Sequence, residues 1–200
     1  MTQLEPLPRS FYARDVLEVA PDCVGKVLVH ASANGLIAGR VVECEAYRGP
    51  EDQAAHSWKG RRTARTEAMF GPPGTVYMYL LYGTSWALNV VTGDEGEPQA
   101  ILIRALEPVV GVEIMAARRK LPAARREVSN GPGKLCQAFD LDRRFYGADL
   151  TTGALYLADG PRPKLARSPR INIDYAGEWA LKPWRFYESG NRYVSVPPRI

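Results

Sequence analysis

The chain has 200 residues, 46% of them hydrophobic and 24% charged, which suits a folded domain with its own core and excludes wholesale disorder. At this length folding buries roughly 70% of the surface of the unfolded chain, so no metal or disulfide staple is needed, and no apolar run approaches the about 20 residues that cross a bilayer. Lys and Arg number 26 against 22 acids, a net charge of +4, too modest an excess to argue for nucleic acid by itself. Met1–Phe11, with Glu5, Pro6, Pro8 and Arg9, lacks the apolar centre of a signal peptide and reads as a loose lead-in (residues 1–10) to a single domain over 11–200. Ala13–Ala20 reads as a short helix ended by Pro21. Lys26–His30 and Leu36–Tyr47 read as strands joined by Ala33-Asn34-Gly35, whose Asn-Gly is a hairpin signal. Gly49–Gly74, rich in Gly, Pro and charge, reads as a long functional loop. Thr75–Tyr82, Trp86–Thr92 and Gln99–Leu106 are three further strands, followed by helices at Val112–Lys120 and Gly133–Phe139. Short strands are expected at Ala154–Leu157, Ile171–Ile173 and Trp184–Glu188. Adjacent hairpins with inserted helices give an α+β class: one compact domain around a curved, mainly antiparallel sheet.

The three cysteines, Cys23, Cys44 and Cys136, are widely spaced and form no CxxC pair, which argues against a disulfide framework or zinc site and for a reducing cytosolic or nuclear compartment. The positive charge is mostly arginine, 20 against 6 lysines, and is bunched at Lys59–Arg65, Arg118–Lys120, Arg125–Arg126 and Arg162–Arg170. Arginine's planar fork grips phosphate oxygens in pairs, so the bunching raises a phosphate-contacting surface to parity with a merely solvated one.

Period-two alternation places Ile37, Val41, Glu43, Glu45 and Tyr47 on one face of their strand. Two carboxylates there are either a solvated pair or a general base with an aromatic neighbour. His56 stands in a polar loop after Glu51 and Asp52, an order that matches no standard metal site. Tyr77 reads as core and Tyr79 shares its face; Tyr82 falls at a Gly-bounded turn, where an aromatic can serve as a wedge between stacked bases. Asn89 and Arg104 are polar within apolar strands, so each either satisfies the core or points into a site.

These segments together resemble the alkyladenine (3-methyladenine) DNA glycosylase family. The resemblance is carried by Val42-Glu-Cys-Glu45-Ala-Tyr47-x-Gly-Pro-Glu51-Asp52-x-Ala-Ala-His56-Ser57 and by Met69-Phe-Gly-Pro-Pro-Gly-Thr-Val-Tyr-Met-Tyr79-Leu-Leu-Tyr82-Gly. It continues through Asn89, Leu102-Ile-Arg104, Gly131-Pro-Gly-Lys-Leu-Cys136 and Ala176-Gly-Glu-Trp-Ala180, from about Phe11 to Val196. It implies a metal-free, cofactor-free monomer that flips alkylated purines, and in some members hypoxanthine, out of double-stranded DNA and cuts the N-glycosidic bond. Carried over by position, Glu45 corresponds to the general base and Arg104 to the arginine that holds the catalytic water with it. Tyr47, His56 and Tyr79 correspond to the pocket walls, Asn89 to the residue that discriminates at the purine edge, and Tyr82 to the wedge. Arg61, Arg65 and Lys134 are the candidate backbone contacts. Thr84 and Ser85 are smaller than the residues expected after the wedge in mammalian members. The absent N-terminal extension and short Arg119–Asn130 connector suggest a bacterial-type minimal member, cytoplasmic and bound to the nucleoid, or nuclear if the source is eukaryotic. Two other classes stay open on the residues alone: a non-catalytic single-strand binder stacking on Tyr82, and a metal-dependent nuclease using Glu43, Glu45 and Asp52.

Overall fold

The computed structural model describes residues 4–32, 35–81 and 83–196. The expected Asn34 turn residue and Tyr82 therefore lie outside the described residues. Among the described residues four α-helices, α1 (Arg9–Tyr12), α2 (Val16–Cys23), α3 (Val112–Arg119) and α4 (Pro132–Phe139), accompany eight strands. The strands are β1 (Val27–Ser32), β2 (Gly35–Tyr47), β3 (Val76–Leu81), β4 (Ser85–Thr92), β5 (Gln99–Val110), β6 (Leu155–Ala158), β7 (Leu165–Ser168) and β8 (Arg185–Glu188). All described pairings are antiparallel, in the order β3-β4-β5-β2-β1-β6, which is the α+β class expected. Strand β2 organises the sheet. One edge pairs with β5 from Ala38 to Tyr47, while the other pairs first with β1 and then, past Val42, with β8, itself paired to β7. Among the described residues no helix is long and apolar enough to cross a membrane.

Three helices cover one face of the sheet. Val16, Val19 and Ala20 of α2, Met115 of α3 and Leu135, Ala138 and Phe139 of α4 pack with Val76, Leu88, Val90, Cys44, Ala46, Ile101 and Ile103 in one fully closed core. Each such side chain contributes about 1.5–3 kcal/mol by leaving water. The other face, beneath the 48–74 loop, carries Tyr77, Val91 and Ala100 with Ala68 and Met69. The sheet thus separates a structural side from a working side.

Two details differ from the expected elements. Helix α2 does not stop at Pro21 but runs through it to Cys23, started by Asp15, whose side chain accepts from the Leu17 N–H at 2.8 Å. Burial of Val19, Ala20 and Cys23 on both sides of the proline compensates for the one helical hydrogen bond it removes. Ile171–Ile173 is not a strand; it is a bend in the cavity wall, and Asn172 there has a left-handed φ of 59°. The strand that does precede it is β7, which alternates half-buried and exposed residues too weakly to stand out.

The expected alternation along β2 fails at a bulge. From the pair Val41–Leu106 to Glu43–Ala105, β2 takes two steps to one on β5; from there to Cys44–Ile103, β5 takes two to one on β2. The two irregularities cancel in register but shift the phase of both strands. Ile37 and Val41 therefore join Cys44 and Ala46 in the main core rather than sharing the face of Glu43, Glu45 and Tyr47. Bulges re-aim side chains in this way beside functional sites. Here the extra residue on β5 is Arg104, brought opposite the two glutamates.

Candidate active site

Register across four strands lines up the working face. Tyr77 pairs with Asn89, Asn89 with Leu102, and Leu102 with Glu45. The row is closed on one side by the 52–56 turn bearing His56 and on another by the Ile171–Ile173 bend. Together they surround a cavity of about 310 Å³, whose wall includes Tyr47, His56, Tyr79, Asn89, Arg104 and Tyr175. That volume lies within the range of small-molecule sites, roughly 300–1,000 Å³.

Glu45 is fully buried just behind this wall. Its Oε2 accepts from the Tyr47 hydroxyl at 2.9 Å and Arg104 Nη1 at 3.2 Å, and its Oε1 accepts from the Ile171 N–H at 2.8 Å. All three contacts are donors, so the site is built around a carboxylate acceptor, and all three come from residues that line the cavity. Burial, and then the charge of Glu45, push the Tyr47 hydroxyl well above its ordinary range, so it stays a donor. Arg104 also donates Nε to Glu43 Oε1 at 3.0 Å, bridging both acids.

His56 and the tyrosines form an aromatic corner. The His56 ring meets Tyr79 edge-on at 4.6 Å between centroids, and its Nδ1 is 2.8 Å from the Tyr77 hydroxyl. Burial, then the nearby Arg65 and Arg61, push the imidazole down to about 4, so the ring is neutral at pH 7. The Tyr77 hydroxyl, held up at about 12 by burial, stays protonated and shares a hydrogen bond with Nδ1 whose direction follows the tautomer of the ring. Asn89 is buried and donates its amide to the Tyr77 carbonyl at 3.1 Å, which fixes its orientation; among the described residues its amide oxygen has no partner.

The sequence candidates Glu45, Arg104, Tyr47, His56, Tyr79 and Asn89 are thus brought together. Arg61 and Arg65 stand on the adjoining loop, Arg65 over the Tyr79 ring at 5.6 Å. Lys134 does not reach the cavity. It lies at the start of α4 in a separate groove with Leu81 and Thr84, donating to Asn130 Oδ1 at 2.9 Å. Ser85 packs there against Gly133, where a Cβ would stand only 2.7 Å from its own, so the small residue after the hairpin tip fits a close approach of sheet to helix.

Several participants escaped the sequence reading. Arg170, counted among the surface clusters, is fully buried against Asp52; Arg185 and Ser195 saturate Glu43. That pairing commits the Asp52 carboxylate, and among the described residues no three of His, Cys, Asp and Glu gather as metal ligands, so the nuclease reading finds no ligand set. No simple sequence signal separates a buried arginine from an exposed one when its partner lies 118 positions away.

Residues 10–192 match the sequence model of the family described as methylpurine-DNA glycosylase (MPG). The chain belongs to that family. It is 50% identical over 94% of its length, and 95% of the relative's, to a Methanocella arvoryzae protein named "Putative 3-methyladenine DNA glycosylase". Proteins of the same name from Desulfitobacterium hafniense and Bacillus cereus are each 46% identical, over 96% and 94% of this chain and 100% and 98% of their own. The chain is accordingly a DNA glycosylase, with DNA as its substrate.

Proposed function

We propose that the chain extrudes an alkylated purine, of the 3-methyladenine or 7-methylguanine type, from duplex DNA into the cavity and hydrolyses its N-glycosidic bond with water activated by Glu45. The observation that carries this reading is the link from Glu45 through Tyr47 and Arg104 to the cavity wall. The glycosidic carbon is inaccessible inside a stacked duplex, so the nucleotide must rotate out. Tyr47, Tyr79 and the neutral His56 then offer aromatic surfaces to a base that alkylation has made cationic or electron-poor, an attraction of about 0.5–2 kcal/mol per ring.

As the bond between C1′ and the purine nitrogen breaks, its electron pair leaves with the purine and the sugar becomes oxocarbenium-like. Water attacks that carbon and passes a proton to Glu45, whose negative charge also favours the cationic sugar. The departing electron pair neutralises the alkylated base, so no second acid is obligatory. Among the described residues no lysine lines the cavity, which supports water rather than an amine as nucleophile and an intact abasic strand as product. Tyr82, between Leu81 and Gly83, is proposed as the wedge that fills the vacated stack, and Arg61 and Arg65 as phosphate contacts for a protein acting as a monomer.

The test is a duplex bearing one methylated purine, incubated with protein and then heated in alkali. Strand breakage only after alkali is expected, together with its loss in Glu45→Gln. A protein that binds the duplex but releases no base would be the non-catalytic binder instead.

A further inference from the structure

Behind the cavity lies a further buried ion pair. Asp52 and Arg170 have fully buried side chains, and the guanidinium grips the carboxylate with both terminal nitrogens, Nη1 to Oδ2 at 2.5 Å and Nη2 to Oδ1 at 2.9 Å. The same nitrogens donate to the carbonyls of Ala46 at 2.9 Å and Trp179 at 3.2 Å. Asp52 in turn accepts from the backbone N–H groups of Arg48 at 3.2 Å and Ala54 at 3.0 Å. The guanidinium carbon stands 4.7 Å from the centre of the Tyr47 ring and 5.1 Å from that of Trp184. One pair therefore joins the end of β2, the turn that bears His56 and the segment leading into the Ile171–Ile173 wall. Neither Asp52 nor Arg170 lines the cavity.

Taking two charges out of water is costly, and apolar side chains of similar volume often hold a fold as well or better. What this pair provides that apolar packing would not is a fixed angle between three backbone segments. Two of the three donors to Glu45 depend on that angle. The Ile171 N–H follows Arg170 directly in the chain, and the Tyr47 ring lies under the guanidinium. The third donor, Arg104, comes from β5 and is independent of the pair.

We infer that Asp52 and Arg170 form a positioning clamp that sets the Ile171 N–H and the Tyr47 hydroxyl on the Glu45 carboxylate. The inference rests on the reading of Glu45 as the base. Arg170→Lys keeps the charge, but one ammonium cannot reach both carboxylate oxygens and both carbonyls at once. Asp52→Asn keeps the shape and loses the charge, and serves should Arg170→Lys fail to fold. Excision is measured in single turnover on the methylated-purine duplex with protein in excess, separating rate constant, amplitude and half-saturating protein concentration.

The rate constant is expected to fall on the order of a hundredfold, the effect of a small misplacement of a catalytic group. Half-saturation should stay within about twofold and the amplitude at the wild-type level. A pair that merely props the fold would instead lower the amplitude with the folded fraction, leaving the rate constant of the surviving enzyme unchanged. That result overturns the clamp. Glu45→Gln, run alongside, separates the two claims. Undiminished excision by Glu45→Gln overturns the reading and the clamp together, whereas an inactive Glu45→Gln beside wild-type rate constants in both clamp variants overturns the clamp alone.

Discussion

Strand β2 buries two carboxylates two residues apart, and the regions around them are built differently. Glu43 accepts four hydrogen bonds: from Arg104 Nε, Arg185 Nε, and the Ser195 N–H and hydroxyl, at 2.6–3.0 Å. Arg185 is further tied to Ser168 Oγ at 3.2 Å and to the Val196 carbonyl, so the knot is closed on every side. Glu45 has three donors, all from residues that line the cavity. Both acids are fully buried, so burial does not tell them apart. The difference lies in what their partners touch next: apart from Arg104, which the two acids share, protein for Glu43 and the cavity for Glu45.

The sharpest way to break the comparison is to exchange its roles. Glu45→Gln should lower the single-turnover rate of base release by about 10²–10⁴-fold or more, because an amide takes no proton from water, while duplex affinity is retained. Glu43→Gln should leave far more of the rate constant. Equal loss in both would erase the distinction, and near-wild-type release by Glu45→Gln beside an inactive Glu43→Gln would reverse it.

Stability should follow the opposite order. Glu43→Ala leaves Arg185 and Arg104 facing a void without their shared counter-charge, and breaking such a buried pair costs about 3–5 kcal/mol. Denaturant midpoints at pH 7 measure this. Glu45→Gln, which keeps shape and loses one interaction with Arg104, should fall by clearly less; a larger drop for Glu45 would mean that the catalytic reading had mistaken a structural acid.

Strand positions were largely legible because hairpin signals and apolar alternation are local: β1 to β5, β6 and β8 fall within a few residues of expectation. The site was legible where a polar residue interrupts an apolar strand, as at Glu45, Asn89 and Arg104. What stayed hidden is non-local. The double bulge at Val42 and Arg104 leaves no composition signal, since it depends on two strands slipping together. The buried fate of Arg170 depends on Asp52 far away in the chain, whereas its neighbours Arg162 and Arg167 are exposed, as a surface cluster should be.

The cavity side also carries a pH signature. Folding holds His56 near 4, below its ordinary value of 6.5, so the unfolded chain takes up this proton more readily. Its contribution to stability is full above about pH 6.5 and is lost as pH falls toward 4. Between pH 7 and pH 5 this amounts to about 2 kcal/mol. His30, also lowered by burial, adds loss in the same direction, so His56→Gln should reduce the pH dependence of the unfolding free energy without abolishing it. An unchanged dependence would mean that His56 takes up its proton equally readily in the folded and unfolded chain, so that burial does not keep the ring against the flipped base neutral down to pH 5.

The smallest expected effect extends the same contrast to the surface. Arg61 and Arg62 are adjacent and exposed, yet Arg62 is held by Glu67 through two bonds, Nη2 to Oε1 at 2.6 Å and Nε to Oε2 at 3.0 Å. Arg61 has no acidic partner among the described residues. A cation that contacts a phosphate releases condensed counterions, each contact adding about 0.9 to the slope of log affinity against log salt. A guanidinium already neutralised by a carboxylate must first give up that partner and contributes less. Arg61→Gln should therefore reduce the slope of duplex binding by about one, and Arg62→Gln by a smaller fraction. Both sites are exposed, so unfolding midpoints should barely move in either variant. Equal slopes in the two variants would mean that a filled partner does not mark a structural charge at the surface as it does around Glu43, and would return the 59–65 loop to solvated surface.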